Sequence, residues 1–161
     1  MNPTDAASPE ELEWLSNILI EQIPLGAAMQ LRVERLDRQG ICLGAPLDPN
    51  RNDKGTAFGG ALASMMILAG WSLPRLLLRR LELDADLVIG RCQLKFSSPV
   101  TGPFTACCDW PAQDSIEAFI ERFGRAGRSS LELAPVVRQN DRAAASLEAR
   151  YAALTRVQQE S

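Results

Sequence analysis

The stretch Asn52-Asp53-Lys54-Gly55-Thr56-Ala57-Phe58-Gly59-Gly60 runs straight into the least polar part of the chain, Ala61 to Leu73. The first backbone N–H groups of a helix lack internal acceptors, and the macrodipole adds partial positive charge there. Two glycines at that end let a ligand approach bare backbone. Such an opening suits a carbonyl oxygen that gains negative charge, as in attack on an ester or thioester. Close packing of a helix on a sheet accounts for Gly59 and Gly60 equally well, and both readings stay open at this point.

Other chemistries are excluded by composition. The chain has no histidine, which removes Ser-His-Asp and Cys-His catalysis and His-ligated metal sites, and no metal is expected. Cys42, Cys92, Cys107 and Cys108 form no C-x-x-C pair. Core-filling thiols in a reducing cytosol is the favoured reading, with Cys107 and Cys108 on opposite faces of a strand. The N-terminus is polar and acidic rather than a signal peptide, so a cytoplasmic location is expected. A net charge of −3 with interleaved signs leaves no nucleic-acid footprint.

Positioning the glycine pair requires a helix from about Ala61 onward. Thr56 to Pro74 carries no charge, and a helix without a polar face must be buried. A run of about 20 apolar residues can also span a bilayer, but this one opens on glycines, contains Ser64 and Ser72 and closes at Pro74. Burial inside a sheet is therefore expected, with no membrane partner. Pro74 should kink or end the helix, leaving Arg75, Arg79 and Arg80 on a short continuation.

Before it, residues 1–8 read as a flexible tail. Ser8-Pro9-Glu10-Glu11 starts an amphipathic helix with a capping box, which Pro24 and Gly26 stop. Alternation from Leu31 to Leu47 predicts a hairpin, and Asp48 to Gly55 a polar loop. Beyond Asp86 come two strands around Cys92–Phe96 and Phe104–Trp110. A short helix follows, capped by Asp114, striped by Ile116, Phe119, Ile120 and Phe123, and ended at Gly124. The last two strands lie on either side of a turn at Asn140-Asp141, and 155–161 reads as a flexible tail. The result is one α+β domain over 9–154, a six-stranded antiparallel sheet wrapped around a long central helix.

These elements and residues resemble the hotdog fold, and Asn-x-x-Gly-x-x-x-Gly-Gly at Asn52, Gly55, Gly59 and Gly60 is similar to the segment entering the central helix of hotdog acyl-CoA thioesterases. The likeness is nearest to the thioesterase-like domains of the YiiD C-terminal type, through Asn52 to Trp71, Lys95 to Gly102, Gly127 to Leu133 and Ala149 to Leu154. That resemblance implies hydrolysis of an acyl thioester at a dimer interface, with acyl-CoA or an acyl-carrier thioester as partner and no cofactor apart from the coenzyme A of the substrate. It places oxyanion donation on Gly59 or Gly60 and orientation of the carbonyl or water on Asn52. The chain departs from the family pattern in two places. Phe58 stands where many relatives have histidine, and no acidic residue occurs from Thr56 to Leu81, with Ile67 near the expected helix carboxylate. Ser64 is the nearest polar side chain able to orient a water, but a hydroxyl needs a base to deprotonate it. Asp53, Glu117 and Glu121 are the alternative carboxylates, each also explained as a loop, capping or solvated residue.

For coenzyme A, Arg125 and Arg128 around Gly127 would make a phosphate clamp, with ordinary surface charge as the favoured alternative. Phe58 and Trp71 would line an acyl tunnel, or simply pack in the core. An uncovered sheet edge leads to a homodimer, with a tetramer also compatible. A non-catalytic acyl-thioester binding module is the second function carried forward, and the lack of histidine disfavours a dehydratase.

Overall fold

The structure is a computed structural model describing residues 2–156. Helix α1 (Pro9–Asn17) continues through a wide turn at Ile18–Gln22. Its capping box forms as expected: Glu11 N–H donates to Ser8 Oγ at 3.1 Å and Ser8 N–H to Glu11 Oε1 at 3.0 Å. Pro24 does not end the helical region but opens a second short helix, α2 (Pro24–Ala28), from its first position, where a missing N–H costs nothing.

A hairpin of β1 (Arg32–Leu36) and β2 (Gly40–Ala45) leads to the loop at 46–58 and to the central helix α3 (Gly59–Arg80). By length and composition α3 could cross a bilayer, yet most of it is buried in the protein. It runs through Pro74 without ending. Leu73, Leu76, Leu77 and Leu78 are completely buried, and four such side chains at roughly 1.5 to 3 kcal/mol each outweigh the ~3 kcal/mol cost of an internal proline.

The strands β3 (Ala85–Phe96), β4 (Phe104–Asp109), β5 (Arg128–Leu133), β6 (Val136–Gln139) and β7 (Arg142–Thr155) complete the fold. Pairing is antiparallel throughout, in the order β1-β2-β4-β6-β7-β3, with β5 also on β7. This is the hotdog arrangement. The expected strand at Leu131 becomes two pieces because Pro135 cannot donate to a ladder. Its carbonyl still accepts from Leu147 N–H at 2.9 Å, so β5 and β6 together track the length of β7 and the sheet keeps six positions across. Asn140 and Asp141 both have positive φ, as a tight hairpin turn between β6 and β7 requires.

Helix α4 (Gln113–Ala126) is capped by Ala112 rather than Asp114, and it passes Gly124 to stop at Gly127, whose φ of 68° closes the helix in the left-handed region. Residues before α1 do not hang free. The Arg80 guanidinium, on a side chain 6% exposed, donates to the carbonyls of Pro3 at 2.7 Å and Asp5 at 2.8 Å. The expected tail at 155–161 begins within β7 at Thr155, and its residues 157–161 lie outside the described residues, as does Met1.

The expectation of four free thiols is also corrected. Cys42 and Cys107 face each other in the β2/β4 register and are joined as a disulfide. Cys108, on the opposite face, is buried and free. With the pair bonded, the thiol-based argument for a reducing compartment loses its footing.

Candidate active site

The loop ahead of α3 is built from its own hydrogen bonds. Asn52 Oδ1 accepts from Lys54 N–H at 2.9 Å and Thr56 N–H at 3.1 Å, and Asn52 Nδ2 donates to Thr56 Oγ1 at 2.8 Å. Gly55 has a φ of 80° with nothing within 4 Å of where a Cβ would lie, so the left-handed backbone of the loop is what calls for glycine here. Ala57 N–H donates to Val100 O at 2.8 Å and Phe58 N–H to Asn50 O at 2.7 Å, which aims the chain into the helix.

At the helix start, Ala61 and Leu62 already donate to Phe58 O. The N–H groups of Gly59 and Gly60 have no acceptor among the described residues, and both glycines are only half-buried. No acidic side chain sits in the first turn to offset the positive helix end. Two exposed aromatic rings flank this opening. A Cβ on Gly59 would lie 3.6 Å from the Phe96 ring, and one on Gly60 would lie 2.3 Å from Phe58 Cε1. One turn on, Ser64 donates its hydroxyl to Gly60 O at 2.8 Å, leaving its lone pairs free to accept.

Gly60 and Ser64 also line a groove of about 330 Å³ walled by Leu25, Met29, Phe58 and Ala61, at the small end of ligand-sized pockets. A larger hollow of about 640 Å³ lies between Arg91, Gln93, Glu148 and Arg150. Those side chains sit on the face of the sheet turned away from α3, opposite in alternation to the buried Leu147 and Tyr151, so it has no access to the helix opening.

The structure therefore brings Gly59, Gly60, Phe58 and Ser64 together. Asn52 is adjacent, with its Oδ1 and one Nδ2 proton committed within its own loop. Trp71 lies three turns along α3, where its indole N–H donates to Leu87 O at 3.2 Å. There it borders a seam between α3 and the inner face of β3, where Ile89, Leu94 and Phe96 are exposed. Arg125 and Arg128 are not at this site. Arg128 pairs with Leu154 beside the Ala85 end of β3, while Phe96 at the other end touches Gly59. The 22-residue α3 separates the two ends by roughly 30 Å. Arg125 is held near Glu121 at 3.6 Å. The other basic cluster is occupied as well: Arg75 and Arg79 stack on Trp14, their guanidinium carbons 4.9 and 4.5 Å from the ring centre.

Sequence reasoning missed Phe96 and Asn50. Phe96 alternates correctly for an inner-face residue, yet nothing local shows that its ring overhangs Gly59. Asn50 is 3% exposed, with Nδ2 donating to Met29 O at 2.9 Å and Pro46 O at 2.8 Å. A polar loop gave no sign that this one amide would be buried. Burial pushes the Cys108 thiol up to about 12 and also raises the Tyr151 phenol, which disfavours both as nucleophiles. Among the described residues no cluster of metal-binding side chains occurs.

The profile of a family described as putative thioesterase, the C-terminal domain of YiiD, matches residues 12–155. A protein of unknown function from Chlorobaculum tepidum TLS is 25% identical, with a TM-score of 0.87 over 96% of this chain and 100% of that one. The putative thioesterase from Shewanella oneidensis is 23% identical, with a TM-score of 0.82 over 91% of this chain and 99% of that one. A third structure, from Pseudomonas aeruginosa and described as of unknown function and probable thioesterase, is 20% identical with a TM-score of 0.75, over 94% of this chain and 99% of that one.

Proposed function

The chain belongs to the putative thioesterase family whose profile matches residues 12–155, and from that premise we propose that it hydrolyses acyl-CoA or acyl-carrier thioesters as a homodimer, with no cofactor beyond the carrier of the substrate itself. The observation that carries this reading is the pair of unpartnered N–H groups at Gly59 and Gly60, on an open helix start without acidic neighbours. A thioester carbonyl oxygen placed there gains hydrogen bonds that strengthen as it becomes an oxyanion, which is the differential stabilisation that catalysis needs. Water adds to the carbonyl carbon, the C–S bond breaks as the carbonyl re-forms into the carboxylic acid, and the leaving thiolate takes up the proton that the water gives up. Ser64 Oγ, its proton directed to Gly60 O, accepts a hydrogen bond from the attacking water and orients it.

Support for the homodimer comes from β3. This strand is the end of the sheet path and, among the described residues, pairs only with β7. Its inner-face side chains Ile89, Leu94 and Phe96 are 37%, 36% and 52% exposed. A long edge with an apolar face invites pairing with a second copy. Beside it, α3 shows half-buried Ile67, Leu68 and Trp71, so a second copy laid along β3 would close the seam into an acyl tunnel ending at Phe96 and Gly59. Arg125 and Arg128 would then serve the site of the other subunit, because antiparallel pairing of two β3 edges sets the Ala85 end of one copy beside the Phe96 end of the other.

A non-catalytic acyl-thioester binding module is the second reading. It is favoured by one observation: no carboxylate is among the residues lining the groove or the opening of α3, and a positioned base typically supplies about 10² to 10⁴ in rate. Thiol release from a panel of acyl-CoA thioesters separates the two. Turnover that falls in Ser64→Ala supports the hydrolase. Tight acyl-CoA binding with no thiol release sinks it in favour of the binding module.

A further inference from the structure

Two paths leave the opening of α3, and they differ chemically. On the Gly59 side, past Phe96, the seam toward Leu94, Ile89 and Trp71 presents carbon. On the Gly60 side, the groove toward α2 is mostly apolar but is also lined by Asn50, Arg51 and Ser64. Because Asn50 Nδ2 faces two carbonyl oxygens, the orientation of its amide is settled and Oδ1 is the remaining group. Oδ1 accepts no hydrogen bond from any described residue. It is not sealed in either: Ser129 Oγ is the only fully enclosed side-chain polar atom without a partner among the described residues, so the small surface left to Asn50 includes Oδ1, at the groove that Asn50 lines. Asn50, a residue 97% buried, thus keeps a free acceptor at a mostly apolar groove that ends at Gly60. With the Ser64 proton spent on Gly60 O and an Arg51 guanidinium nitrogen paired with Asp48, the side-chain acceptors of the groove are Asn50 Oδ1 and Ser64 Oγ.

An acyl chain has no donor to match these acceptors and is at home in the all-carbon seam. The thiol arm of the carriers is different. Pantetheine is a slim chain of methylenes interrupted by two secondary amides, whose N–H groups need acceptors. Resting on the thioesterase reading above, we infer that the groove between α2 and the start of α3 holds the pantetheine arm, and that Asn50 Oδ1 is a specificity-determining acceptor for its amide nearest the sulfur. Asn50 in this role positions the thiol side of the substrate while its Nδ2 holds the groove wall in place.

Removing Asn50 would also release Met29 and Pro46, so the decisive test changes the substrate instead. Two thioesters with the same acyl group are compared, one on N-acetylcysteamine and the other on O-acetyl-2-mercaptoethanol, in which an ester oxygen replaces the amide N–H. The amide compound should show roughly tenfold higher kcat/KM, the scale of one neutral hydrogen bond, mainly through KM. Ala28→Phe, at an exposed position on the groove wall, should keep the melting temperature but lower kcat/KM for the amide compound until the two are equal. Equal kcat/KM for the two compounds in the wild-type protein, or unchanged discrimination in Ala28→Phe, overturns the inference while leaving the hydrolase intact. If neither compound nor any acyl-CoA is cleaved, the hydrolase reading is what fails. The groove is then read directly, by titrating ¹⁵N-labelled protein with pantetheine and following the Asn50 side-chain amide signals. Saturable shifts there that vanish in Ala28→Phe support the assignment, and unmoved signals at millimolar pantetheine sink it.

Discussion

Replacing Arg80 by Met removes the clasp that holds α1 and the N-terminal segment against the end of α3. The guanidinium donates Nε to Glu11 Oε2 at 2.7 Å and Nη2 to Glu11 Oε1 at 3.1 Å, besides the carbonyls of Pro3 and Asp5. The two side chains are only 6% and 15% exposed. Chiefly through the Arg80 hydrogen bonds, the Glu11 carboxyl is lowered from 4.5 to about 2, a difference worth about 3 kcal/mol. Because the folded value lies below the unfolded one, this stabilisation is present above pH 4.5 and drains away as pH falls toward 2. Breaking one side of a buried pair typically costs about 3 to 5 kcal/mol, but here the N-terminal segment can lift off and rehydrate Glu11, so we expect about 2 to 3 kcal/mol at pH 7. At roughly 2 to 4 °C per kcal/mol for a domain of this size, the melting temperature should drop by about 5 to 10 °C. Urea unfolding of wild type and Arg80→Met at pH 7, 5, 4 and 3 gives the test: the gap should be widest at pH 7 and shrink steadily below pH 4.5. A gap under about 0.5 kcal/mol at pH 7, or one that does not change with pH, would refute the reasoning.

Gly70→Ala should destabilise by about 1 to 3 kcal/mol, since its Cβ would meet Tyr151 Oη at 2.4 Å while that hydroxyl donates to Ile67 O at 2.7 Å; in a Tyr151→Phe background the thermal penalty should shrink. Gly59→Ala should fold, its Cβ making an ordinary 3.6 Å contact with Phe96, yet cut thiol release by roughly tenfold or more because the carbonyl can no longer approach the bare backbone; wild-type turnover in this variant would count against the oxyanion role. Phe96→Asp puts a charge on the exposed inner face of β3, and sedimentation should report a dimer for the wild-type protein and a monomer for the variant. Cys107→Ala removes a cross-link spanning 65 residues and should lower stability by about 2 to 4 kcal/mol relative to the oxidised protein, with dithiothreitol reproducing the loss in the wild type.

Locally encoded features were legible. The alternation of period two in β4 and β7 and the stripe of α4 mark buried faces, and the Ser8 capping box is a contact between residues three apart. Where local rules misled, a distant contact had intervened. Pro74 and Gly26 look like stops, but leucines packed from every side carry α3 through the first, and Pro24 starts a new helix around the second. Arg125 and Arg128 flank a glycine as a clamp would, yet sheet register sets them at the wrong end of α3 for the site of their own chain.

The sequence by itself determined that a charge-free helix must be buried, that its glycine opening leaves N–H groups bare, and that histidine chemistry is absent, because these depend on residue type and near neighbours alone. Tertiary structure alone decided that Asn50 turns its Nδ2 to Met29 O and keeps an acceptor free, and that Phe96 reaches Gly59. It also decided that Cys42 finds Cys107. Each of these is a pairing between segments far apart in the chain, and no periodicity or propensity records which distant segment a side chain will meet.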